Sequence, residues 1–71
     1  MRNDTAAIMA AIAAYELHLK QTENCTLQDM WDCDIEYCQH ECAAFVAAIF
    51  GAAVNEELYN QVCNILVTKV K

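Results

Sequence analysis

Between Met1 and Lys71 the chain holds no proline and one glycine, Gly51. The two residues that most often interrupt backbone structure are thus nearly missing, and alanine, the best helix former, recurs throughout. No β-branched run alternates with period two, so strands are not expected. The chain reads as a single all-α domain over residues 1–71.

Three helices account for the pattern, at about residues 4–20, 27–50 and 56–70. Asn3 or Asp4 caps the first, and Ile8, Ile12, Tyr15 and Leu19 form its main stripe. The alanines around that stripe leave almost no polar face before Glu16, so this helix is expected to be central or to sit against another subunit. The segment QTENCT is a turn. Thr26 caps the second helix with Asp29 at the reciprocal position, and Cys25 and Met30 fall at the flanking apolar positions. Gly51 supplies the left-handed stop. Asn55 caps the third helix, with Val54 and Tyr59 as its flanking pair and Glu56 and Glu57 at its positive end. Its stripe is Tyr59, Cys63, Leu66 and Val70, and Lys69 and Lys71 suit its C-terminal end. Short connections imply antiparallel neighbours.

Apolar residues make up 58% of the chain, against roughly 45–50% in ordinary soluble domains. A chain this short buries only about 60% of its unfolded surface. A compact three-helix bundle completed by association into a homodimer or larger homo-oligomer is therefore expected.

The longest apolar run, residues 6–15, is half of what a membrane span needs, so no membrane association is expected. The opening MRNDTAAIMAAIAAY shares an apolar run and small residues (Ala11, Ala13) with secretory leaders. Asp4 offsets Arg2, however, and the segment reads as mature helix in a cytoplasmic protein. The N-x-T sequons at Asn3 and Asn24 matter only in a secreted chain.

Ten acids face four bases, for a net charge of −6. Outside residues 23–42, Arg2, Lys20, Lys69 and Lys71 balance Asp4, Glu16, Glu56 and Glu57. The whole excess lies between Glu23 and Glu41. Such a balance argues against direct nucleic-acid binding and for a basic protein partner.

The densest stretch is DMWDCDIEYCQHEC, residues 29–42. On a straight helix Leu27, Trp31, Ile35, Cys38, Cys42, Phe45 and Ile49 share one arc, and Asp29, Asp32, Glu36, Gln39 and His40 share another. Cys33 and Tyr37 border the acidic arc. Cys33 then lies about 140° from Cys38 and about 180° from Cys42, and His40 about 160° from both core cysteines. With no proline or glycine to break the helix, these groups cannot converge on one metal ion, and their spacing departs from zinc patterns. Cys38 and Cys42 are spaced to share a ligand, and an antiparallel hairpin sets Cys63 level with Cys42. Those three thiols define the alternative reading, a copper, zinc or redox protein. The plainer reading makes them small apolar core residues, with a disulfide as a further possibility. No cofactor is expected. Nor is catalysis: the chain has no serine, and Cys33 and His40 stand roughly 10 Å apart along the axis.

Asp29, Asp32 and Glu36, with His40 beside them, are the candidate partner-binding residues. Their simpler role is a solvated face that keeps an apolar protein soluble. A calcium loop is not encoded, because the carboxylates are helical and lack a glycine turn. Ala43, Ala47 and Phe50 continue the same line, so the second half of the helix is apolar all round. The leading functional reading is a small acidic interaction module that docks on a basic, nucleic-acid-handling protein and blocks it. Phage antagonists and antitoxin-like regulators share this size and charge, which is an analogy only. A purely structural helical oligomer is the remaining alternative.

Overall fold

The computed structural model describes residues 5–70, which form four helices: α1 (Thr5–Thr22), α2 (Leu27–Cys33), α3 (Ile35–Phe50) and α4 (Glu56–Lys69). The all-α class holds, with no strand among the described residues. Three helices become four because the long central one divides at Asp34. The candidate caps Asn3 and Asp4 lie outside the described residues.

Asp34 is extended (φ −160°, ψ 103°) and serves both neighbours. Its amide donates to the Met30 carbonyl at 2.9 Å, closing α2, and its carbonyl accepts from the Cys38 amide at 3.0 Å. Its side chain accepts from the Tyr37 amide at 3.1 Å, opening α3. Aspartate can replace a helical backbone bond with a side-chain bond, so neither proline nor glycine is needed to break the run. Replacing it by alanine removes the cap and should cost about 1–2 kcal/mol, while Asp34→Asn should retain most of it. Urea melts of the two variants check this, and an unchanged Asp34→Ala midpoint would count against the capping role.

The caps expected at Thr26, Gly51 and Asn55 operate as read, whereas α1 runs on to Thr22 into the expected turn and Val54 is exposed. The Thr26 hydroxyl accepts from the Asp29 amide and the Asp29 carboxylate accepts from the Thr26 amide, both at 3.0 Å. Gly51 adopts the left-handed conformation (φ 67°). There its amide reaches Ala48 O at 3.1 Å and the Ala52 amide reaches Ala47 O at 2.9 Å, which satisfies two otherwise orphaned carbonyls. Asn55 Oδ1 accepts from the Leu58 amide at 2.8 Å.

The core draws Ile8, Ala11, Ile12, Tyr15 and Leu19 from α1, Leu27 from α2, and Cys38, Cys42, Ala43, Val46 and Ala47 from α3. α4 contributes Leu58, Val62 and Leu66. The α1 stripe and the pair Cys38–Cys42 match expectation, but two stripes do not. The break at Asp34 resets the helical phase, so Trp31 is only half-buried and Ile35 is exposed. Ile49 is exposed and Phe45 half-buried, while Ala43 and Ala47, placed on the outer line by a straight helix, pack inside. α4 is turned by about one residue: Leu58 and Val62 replace Tyr59 and Cys63, which are half-buried with Val70.

A radius of gyration of 11.2 Å matches the roughly 11 Å expected of a compact chain of this length. The accessible surface, 4493 Å², equals the approximately 4,450 Å² of a folded 8.0 kDa monomer. The single chain is thus as compact as a folded monomer of its mass. No helix among the described residues is long and apolar enough to cross a membrane.

Candidate functional site: the acidic segment

Six carboxylates, Glu23, Asp29, Asp32, Asp34, Glu36 and Glu41, run from the α1–α2 turn to the middle of α3, and every one is exposed. No lysine or arginine lies between Lys20 and Lys69. Among the described residues the ion pair is Lys69 Nζ–Glu16 Oε1 at 2.9 Å, which engages none of the six.

The segment is less uniform than a straight helix implies. Asp29 and Asp32 belong to α2, whereas Glu36 and His40 belong to α3, so the single acidic arc does not exist as such. Asp29 and Asp34 work as caps, and Asp29 and Glu36 occupy first turns where the helix dipole favours them. The break thus gives two helix N-termini to a stretch rich in negative charge, which offsets part of its self-repulsion. Asp32 accepts from Gln28 Nε2 at 2.9 Å. His40 is exposed, yet its ring lies on Tyr59 with centroids 5.0 Å apart.

That ring pair also changes the expected α3–α4 register. Tyr59, in the first turn of α4, meets His40 and donates to Gln39 Oε1 at 3.3 Å. An antiparallel hairpin turning near residue 53 brings Tyr59 beside residue 47 instead. Cys63 nonetheless lies close enough to Cys42 to act on its thiol. The exposed His18 ring sits 5.3 Å from Phe45, beside the Tyr15–Phe45 pair at 4.9 Å.

All five cysteines are free: Cys33 is exposed, Cys25 and Cys63 are half-buried, and Cys38 and Cys42 are buried. Burial pushes the Cys42 thiol up to about 12, with Cys38 and Cys63 nearby adding to the effect. Burial also raises Cys38, whose Sγ points to the Leu27 carbonyl at 4.0 Å. Cys63 is raised by burial against a lowering hydrogen bond with Tyr59. These surroundings favour neutral thiols, whereas metal ligation requires thiolates. Among the described residues no group of three or more histidine, cysteine or carboxylate side chains is placed to hold a metal ion.

Comparison with protein families, curated proteins and solved structures found no match.

Two open clefts flank α1. One, of about 370 Å³, is lined by Glu16, Leu17, Lys20, Cys25, Thr26 and Leu27. The other, of about 320 Å³, lies between α1 and α4 and includes Met9, Gln61 and Ile65. Gln61 Oε1 is buried there without a hydrogen-bond partner. Neither cleft includes the carboxylates of α2 and α3. Sequence reading overlooked Asp34 because its weight went to the period of the helix. The signal was present as DIEY, an acid followed two residues later by a second acid at a helix start.

Proposed function

We propose that the chain is a small acidic interaction module that docks on a basic protein of the nucleic-acid-handling kind and masks its phosphate-binding surface. The observation that carries this reading is the run of six exposed carboxylates from Glu23 to Glu41, with no described cation paired to any of them. Clustered charge of one sign accelerates encounter with an opposite surface and fixes orientation. A surface built to neutralise phosphates meets a similar array of negative oxygens here. Five free thiols suit a reducing intracellular compartment.

The test separates location from net charge. One variant is Asp32→Asn/Glu36→Gln, which leaves the caps Asp29 and Asp34 intact. The other is Glu56→Gln/Glu57→Gln, an equal change in charge on α4. Each is titrated with a lysine-rich helical peptide at low and high salt. The α2–α3 variant should bind several-fold more weakly, chiefly through slower association, and the wild-type affinity should fall as salt rises. Equal losses in both variants would reduce the acids to a solvated surface. Neutralising Asp29 instead would disturb a cap and confuse binding with folding.

A further inference from the structure

Cys42 is fully enclosed, so a reagent in solution does not reach it while the chain is folded. The thiols beside it are another matter. Cys38 lies one turn away on α3, and side chains at that spacing hold their Cβ atoms about 5–6 Å apart. A disulfide needs about 3.5–4.5 Å, so a regular helix does not bridge its own cysteines at i, i+4. A bond from Cys42 has to cross to another element.

The path of α4 supplies the partner. It begins over α3 just before Cys42, where the Tyr59 hydroxyl donates to Gln39 Oε1 at 3.3 Å and the ring lies 5.0 Å from that of His40. It ends against α1, where Lys69 Nζ meets Glu16 Oε1 at 2.9 Å. That part of α1 sits against α3 just beyond Cys42, with the Tyr15 and His18 rings on Phe45. Between those two anchors α4 crosses α3 at Cys42, and Cys63, one turn past Tyr59, is the thiol it carries there. The Cys42 thiol accordingly feels Cys63, Glu16 and Lys69 together. Cys63 is half-buried, so the pair is reached from its side.

We propose that Cys42 and Cys63 are a redox pair, which a peroxide converts into a disulfide that clamps α4 to α3. The Cys63 thiolate attacks one oxygen of hydrogen peroxide and the O–O bond breaks. Cys63 becomes a sulfenic acid, and the hydroxide released takes up a proton and leaves as water. The Cys42 sulfur then attacks the Cys63 sulfur. The S–S bond forms, the S–O bond breaks, and the oxygen departs as a second water with the proton of Cys42. Two thiols and one peroxide thus give one disulfide and two waters. Burial of Cys42 does not obstruct the second step, because its target is already inside. Burial does raise Cys63, and only its thiolate attacks, so the bond should form slowly at neutral pH and faster as pH rises. Once made, it closes a loop of about twenty residues, which restricts the unfolded chain and should shift the folding equilibrium by about a hundredfold. The pair is a clamp that engages when a reducing compartment turns oxidising.

Native protein is treated with hydrogen peroxide, remaining thiols are blocked in urea, and the chain is cut after glutamate without reduction. Cuts at Glu41, Glu56 and Glu57 place Cys38, Cys42 and Cys63 on separate peptides. Mass spectrometry should find the Cys42 and Cys63 peptides joined, with two hydrogens lost. The urea midpoint should rise on oxidation and fall back with dithiothreitol, and Cys63→Ala should show neither the link nor the rise. Cys63 joined to Cys38, Cys63 driven to sulfinic acid beside an intact Cys42 thiol, or both thiols unchanged after Cys33 has oxidised would each overturn the proposal. So would a linked protein no more stable than the reduced one. Acidic docking is judged separately, because Cys63→Ala keeps all six carboxylates and should bind the lysine-rich peptide as the wild type does.

Discussion

Leu58→Ala should cost about 2–5 kcal/mol, because it empties a site that is fully enclosed. Domains of this length are stable by only about 4–11 kcal/mol in total, so the variant should lose a large share of its stability. Cys63→Ala, one turn along and half-buried, should cost much less. Urea melts of both proteins measure the contrast. It is informative because the sequence stripe favoured Cys63 and passed over Leu58 and Val62, whereas the packed structure reverses that order. Equal costs would mean that α4 presents a different face to the core.

The second large effect is kinetic. With iodoacetamide under native conditions, Cys33 should be alkylated first, Cys25 and Cys63 more slowly, and Cys38 and Cys42 last. The buried pair reacts only through opening of the fold, which suppresses the rate by about a thousandfold or more for a core of ordinary stability. Peptide mass spectrometry over time reads the order. The pH dependence follows from the direction of the Cys42 shift. Its folded form keeps a proton that the unfolded thiol, titrating near 9.0, gives up. Stability from this group is thus complete at neutral pH and declines as pH rises from about 9 towards 12. Rapid native labelling of Cys42 would contradict its burial.

Local signals were legible and long-range ones were not. Thr26, Gly51 and Asn55 act within a few residues of themselves, so their roles could be read from the chain and recur in the fold. Asp34 is local too, but the apolar period around it ran on through Ile35 and hid the cap. The facing of α4 depends on how tightly it settles against α3 and α1, a tertiary choice that separates Val62 from Cys63 by only 100° of rotation. The acidic candidates illustrate the same division. Their exposure could be read from sequence, whereas the separation of Asp32 from Glu36 onto two helices could not. Alanines and half-buried rings such as Tyr59 raise the apolar count without demanding full enclosure.

The bend at Asp34 also determines how large the molecule is. An unbroken helix over residues 27–50 would be about 36 Å long, longer than the 31 Å that the folded chain spans in its greatest dimension. Its first two turns would project past the other helices as a bare rod, carrying Leu27 and Trp31 into water. Folded back at Asp34, the same residues become a lid over the end of the bundle, and Leu27 lies 3% exposed. The break at Asp34 is thus what lets residues 27–50 fit within the 31 Å molecule.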